Sequence, residues 1–289
     1  MPTVKSVSTW NGGFSSGTSH GPITLPDSIS PGDLLVCIFS CDGSIQTAGF
    51  TIPVGWNLAK SARYGTTVTG AVFWKVATDD NALTIGTSAF EIASAVMYCI
   101  EDAWMISVDS STGSSTNSSH AEGGHRETLT DPPKEAIYIA ARAGDSTVVA
   151  TAPPSGFSDM QTVAAVSTAG ASLNTAVYVG TEVTLTPSAW VSAFEQWVTF
   201  TIAVYQSVRI SGHVYGADGQ PIVCEYQVLE RDTGLLYMPK YINEIHAKTY
   251  SSFEGSFLFG LKEDAEVNII FLDPTGTKQD LLISRVVPI

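Results

Sequence analysis

The chain has 289 residues, of which 44% are hydrophobic and 15% charged, and its 14 Lys+Arg stand against 28 Asp+Glu for a net charge of −14. This supplies ample material for packed cores and works against nucleic-acid phosphate and anionic lipid as partners, since both require a cationic face. The opening MPTVKSVSTWNGG has no apolar leader core and the longest apolar runs are strand-sized, so a soluble product made in a cytoplasm, without membrane insertion, is expected.

From the N-terminus onward period-2 patterns dominate and a helical period is hard to find. GDLLVCIFSCDG is a continuous apolar run between turn residues, as in a core strand covered on both faces. Cys37 and Cys41 share one face of it, about 13 Å apart along the strand, beyond the span of a disulfide. With Cys99 and Cys224 they read as free thiols acting as small hydrophobes. In FTIPVGWNL, Pro53-x-Gly55 makes a turn and Trp56 drops onto the core. GAVFWKVATDD, ALTIGT and ASAVMYCIEDA follow as further strands. The acidic pairs Asp79-Asp80 and Glu101-Asp102 are sequence neighbours, which point to opposite faces of a strand. Neither pair can supply the two facing carboxylates of a glycosidase, and a polar turn suits Asp79-Asp80 better than a calcium site.

Asp109 to Glu127, DSSTGSSTNSSHAEGGHRE, lacks an apolar face and predicts a long mobile loop. His120 and His125 within it have a zinc-like spacing but a Ser/Gly-rich frame and no cysteine. They are read as a loop tip, solvated or ordered by a partner, and no metal or cofactor is expected. EAIYIAARAGD and TAVYVGTEVTLTP add strands. In EQWVTFTIAVYQ, Val198, Phe200, Ile202 and Val204 alternate with Thr199, Thr201 and Ala203. Roughly eight to ten strands with short turns predict a jelly-roll-like antiparallel β-sandwich over residues 1–207.

A second body starts near Val208. Asp218-Gly219 offers a hairpin turn, Pro221 opens the next strand, and CEYQVLERDTGLLY, EGSFLFGL, EVNIIFLDPTG and QDLLISRVVPI bring the total to about seven short strands. Residues 208–289 are therefore expected to form a separate small β-sandwich, and the whole chain to be all-β.

Gly212-x-Val214, Gly219-x-Pro221, Asp232-x-Gly234 and Glu254-Gly255-Ser256-Phe257 resemble the pattern of the carboxypeptidase-regulatory-like, transthyretin-type sandwich. Gly216 stands where members usually carry Asp, and Glu254-Gly255 replaces their later Asp-Gly. The ending FLDPTGTKQDLLISRVVPI is similar to the C-termini of modules on tail proteins of bacterial viruses. PGDLLVCIFS, PVGWNLAKS and AVFWKVATDDN, from Pro31 to about Asp102, resemble β-rich phage virion proteins. The resemblance implies a small Ig/transthyretin-like sandwich without catalysis, in a structural virion protein assembled in the host cytoplasm. A tail-tip, baseplate or fibre position with a role in assembly or host attachment is expected. Its partners would be other virion proteins and further copies of itself, with a trimer the natural number for fibres. The alternatives are a capsid decoration protein, or a carbohydrate-binding module that recognises host surface polysaccharide. The sequence lacks a G-x-S-x-G elbow, a P-loop and an HExxH, so an enzyme is not expected. Trp10, Trp104 and Trp190, in turn-like contexts, stand with Tyr237, Tyr241, Tyr250, His120 and His125 as candidate ligand or interface residues. LLYMPKYINEIHAKTY is apolar enough to touch a neighbouring subunit.

Overall fold

The computed structural model describes residues 2–12, 17–43, 45, 49–78, 82–119, 136–165, 170–181, 185–206, 208–213, 225–230, 249–250, 256–261, 267–272 and 281–286. At 104, 105, 117, 118, 205, 206 and throughout 208–286 the description is of the backbone alone. The chain divides into two compact units, Met1–Gln206 and Ser207–Ile289. Both are built of antiparallel strands.

The first unit contains β1 (Thr3–Asn11), β2 (Gly17–Ile23), β3 (Leu34–Asp42), β4 (Phe50–Thr51), β5 (Asn57–Tyr64), β6 (Val68–Val76), β7 (Leu83–Glu91), β8 (Ala93–Glu101), β9 (Ala103–Ser118), β10 (Ala136–Gly144), β11 (Ser158–Ala165), β12 (Ala171–Gly180) and β13 (Trp190–Gln206). Its two large sheets have the orders β1-β8-β3-β6-β5 and β11-β12-β10-β13-β9, and a third has β2-β7-β4. Each large sheet comes from one contiguous half of the unit. A jelly roll would interleave strands from both halves, so the jelly-roll expectation is met only at the coarser level of stacked antiparallel sheets.

Written from its first strand, the second sheet reads β9-β13-β10-β12-β11, which is the wiring of the first. The registers repeat as well. Val7↔Tyr98 has its counterpart in Val108↔Ile202, Cys41↔Thr69 in Gly144↔Ser172, and Asn57↔Trp74 in Ser158↔Val177. β5 and β11 both carry a bulge just after their first paired residues. Both follow a turn in which a proline carbonyl accepts the amide three residues on: Trp56 to Pro53 and Phe157 to Pro154, each 3.1 Å. The two halves are one topology used twice.

Stacked face to face, β1 lies against β11, β8 against β12, β3 against β10, β6 against β13 and β5 against β9. The lateral order is reversed, and Ile92, just before β8, packs on Ala165 and Ala171 of the other half. Reversed order with matching ends is what an approximate two-fold axis parallel to the strands produces. The halves are clamped where Tyr98 and Thr175 share a hydroxyl hydrogen bond of 2.6 Å. The outer face of each sheet is covered too. Phe39, Phe50 and Phe73 meet edge to face beneath the β2-β7-β4 layer. Tyr138, Phe157 and Trp190 anchor the corresponding core of the second half. Burial on both faces explains why β3 and β8 are nearly all apolar.

The second unit contains β14 (Val208–His213), β15 (Glu225–Glu230), β16 (Thr249–Tyr250), β17 (Ser256–Leu261), β18 (Val267–Leu272) and β19 (Leu281–Val286). They form a β14-β17 pair and a β16-β15-β18-β19 sheet.

Candidate functional site

In each half the end of the central strand meets the last strand at the equivalent corner, just before β8 in the first half and within β13 in the second. In the first, the Asp42 amide donates to the Ile92 carbonyl (3.0 Å); in the second, the Asp145 amide donates to Gln196 (3.4 Å). Immediately before those carbonyl residues stands one tetrapeptide, Ser88-Ala89-Phe90-Glu91 and again Ser192-Ala193-Phe194-Glu195. Successive side chains of an extended chain point opposite ways, and both copies use this alike. Phe90 and Phe194 are 74% and 69% exposed, while Glu91 and Glu195 are buried. The approximate two-fold axis runs along the strands, so both phenylalanines sit at one end of the unit.

The two carboxyl groups are held differently. Phe39 and Arg142 occupy matching places, Phe39 opposite Ala95 and Arg142 opposite Thr199. Arg142 is fully buried and pairs with Glu195, whose other oxygen accepts the Ser146 amide (2.9 Å) and hydroxyl. Phe39 instead packs against the rings of His20 and Phe50. Glu91 faces Asp42, and burial followed by the Asp42 charge and hydrogen bond raises its pKa to about 7. Asp42 is held in place by the Ile92 amide (2.7 Å). Asp145 is likewise pushed above the ordinary carboxylate range, by burial and then by Glu195. These groups support the frame behind the two exposed rings.

Other reactive side chains are similarly engaged. Cys37, Cys41 and Cys99 are free and buried, as expected. Burial raises the thiol pKa of each, that of Cys99 to about 12 with Asp33 adding to the effect. Asp33 pairs with Lys5 at 2.8 Å and accepts the Ser30 amide at 2.8 Å. Among the described residues no group of three or more His, Cys, Asp and Glu is placed to hold a metal.

The residues singled out in the sequence do not converge on one surface. Trp10 is half-buried on β1 and packs on the outer core of the first half. Trp190 is fully buried against the Tyr138 cluster, so it is a core residue and not an exposed platform. Trp104 is the extra residue where β9 bulges against Tyr205 and Gln206. Tyr250 lies on β16. His120, His125, Tyr237 and Tyr241 fall outside the described residues, as do Asp79-Asp80 and Cys224. Phe90, Phe194, Glu91, Glu195 and Arg142 were not singled out, although the repeated tetrapeptide was there to be found.

The Ser/Thr-rich stretch also differs from expectation. Instead of a loop beginning at Asp109, β9 continues to Ser118 and pairs without interruption from Met105↔Tyr205 to Ser115↔Glu195. Side chains of β13 hold it there. A Cβ on Gly113 would lie 2.5 Å from the Trp197 ring, so the indole covers the glycine, and its nitrogen donates to Ser115 Oγ (3.3 Å). Thr199 donates to the Ser119 carbonyl (2.8 Å). No protein-family model, curated protein or solved structure matches the chain.

Proposed function

We propose that this chain is a non-enzymatic structural protein of a bacteriophage particle, placed at the tail tip, baseplate or fibre, where it serves assembly or host attachment. The small second unit is read as an Ig/transthyretin-like docking or spacer module. The observation that carries this reading is the exposed phenylalanine offered once by each half, Phe90 and Phe194, at one end of a doubly covered β frame. Behind them the described carboxylates and the arginine are engaged in holding the corners, an arrangement suited to gripping a neighbour. The resemblances of Pro31–Asp102 and of the second unit to phage proteins supply the particle.

Antibody labelling of particles of the virus that encodes the chain tests the assignment. Label at the tail end is expected; label spread over the shell would replace it with capsid decoration, and unlabelled particles would overturn it. The Phe90→Ser/Phe194→Ser variant should fold normally, since both side chains are exposed, but be lost from purified particles.

A further inference from the structure

We infer that the outer edge of β9 is a pairing surface for β9 of a second copy of the chain, antiparallel about a two-fold axis, independently of the particle assignment. An edge strand presents a row of backbone N–H and C=O groups able to pair with another chain, and proteins blunt such edges with bulges, lysine, proline or short length. The first unit has four such edges in its large sheets, and three are blunted. β1 is broken by a bulge at Lys5, β5 by one before Lys60 and carries Arg63, and β11 by one at Asp159, whose φ is +51°. β9 is bulged only near its ends, at Trp104 and opposite residues 192–194 of β13, which leaves its middle straight. It occupies the place in the second half that β1 takes in the first, yet it runs over 16 residues. Its register is unbroken from Met105 to Ser115, and it contains no lysine, arginine or proline. No described strand pairs with its outer side.

A second β9 fits this edge by charge. Asp109 is the one charged residue between Ala103 and Ser118. If the two-fold axis passes at Ser111 or Thr112, Asp109 faces Gly113 or Ser115 of the partner subunit, and never its own copy. Two chains of net charge −14 can therefore meet here without bringing like charges together. The Trp197 cover over Gly113 and the Thr199 bond to Ser119 keep the strand on its sheet, so the edge is held ready. Isologous pairing needs only one surface and closes on itself. It makes a two-fold pair, rather than a trimer, the unit of assembly.

Sedimentation equilibrium of the full chain, with hydrogen exchange at dilute and concentrated protein, tests this. A monomer–dimer equilibrium is expected, with the outward-facing amides, every second one across residues 105–115, gaining protection only on association. Thr112→Lys/Thr116→Lys alters two exposed side chains and should weaken the dimer roughly a hundredfold by like-charge juxtaposition. It takes the formal charge from −14 to −12, so general repulsion would fall, and any loss of pairing is local. Thr66→Lys, in an exposed turn of the first half, should leave the dimer intact. A chain monomeric at every concentration would overturn the inference. So would a dimer indifferent to the lysines, or outward-facing β9 amides already protected in the monomer, which would mean that the chain covers its own edge.

Discussion

Glu91 and Glu195 share a tetrapeptide and a place in the fold, yet one neighbour separates their chemistry: Arg142 beside Glu195, Phe39 at the matching position in the other half. Removing a partner from a buried ion pair leaves an uncompensated charge, so Arg142→Met should cost about 3–5 kcal/mol in urea unfolding. Adding Glu195→Gln should recover much of that loss, because the stranded charge goes with it. Among the described residues Glu91 meets no such cation, and it behaves as a pH-dependent brake. A carboxyl group that binds its proton more tightly in the folded chain adds stability below its ordinary pKa of 4.5 and loses it as the pH climbs through about 7. The loss across that window, reduced by solvent screening of the carboxyl group, is on the order of 1–2 kcal/mol. His20, whose pKa is lowered by burial, slopes the other way, losing stability as the pH falls below 6.5. Since His20 is common to both proteins, the difference between wild type and Glu91→Gln isolates the carboxyl group. Stability profiles that run parallel from pH 4.5 to 7 would show that Glu91 ionises in the fold as it does in the open chain.

At the scale of elements, the paired turns allow one position to be tested twice. Gly55 and Gly156 have φ of +84° and +85°, at the third position of a Pro-x-Gly-aromatic turn, where L-residues with a Cβ are strained. A Cβ on Gly156 would meet nothing within 4 Å, and on Gly55 only Lys75 at 3.6 Å. Replacement by alanine is therefore a conformational cost without a clash, about 1–2 kcal/mol at each site. Equal losses are expected in thermal or urea melts of Gly55→Ala and Gly156→Ala; a penalty confined to one of them would mean that the turns differ in function. The first turn could be read from Pro53-x-Gly55-Trp56, as could the strands of β3, β8 and β13, whose apolar runs or alternation survive in the structure. The polar face of β13 was less clear, since Thr199 and Thr201 are buried too: the sheet is covered on both sides and their hydroxyls can bond locally. β9 was hidden because a strand held by its backbone ladder and by Trp197 needs little apolar side chain of its own. The candidate site was hidden for a related reason. Its arginine replaces a phenylalanine between the halves, so the repeat rests on wiring and two short motifs rather than on hydrophobic period.

The whole first unit depends on the layer between its sheets, which neither half completes alone. Val36, Ile38, Val96, Ile139, Leu173, Phe200 and Ile202 are all buried, and by strand alternation they face that layer from both sides. Close approach is possible where Gly70 of β6 meets β13: a Cβ there would lie 2.6 Å from Phe200 Cε2 and 3.3 Å from Val198 Cγ1. Gly70→Ala should therefore push the sheets apart and cost about 1–3 kcal/mol, the usual toll of overpacking. Phe200→Leu trims the obstructing ring and is destabilising on its own through lost contact. Combined, the two should be less costly than their sum by roughly 1 kcal/mol, because the smaller side chain makes room for the added methyl group. Native-state hydrogen exchange places the effect. If the halves form one cooperative body, Gly70→Ala lowers the opening free energy of β3 and β10 amides together, although the substituted residue belongs to only one of them. Loss confined to β3 would mean two modules that fold separately and merely touch, and the shared layer would not be what holds the repeat together.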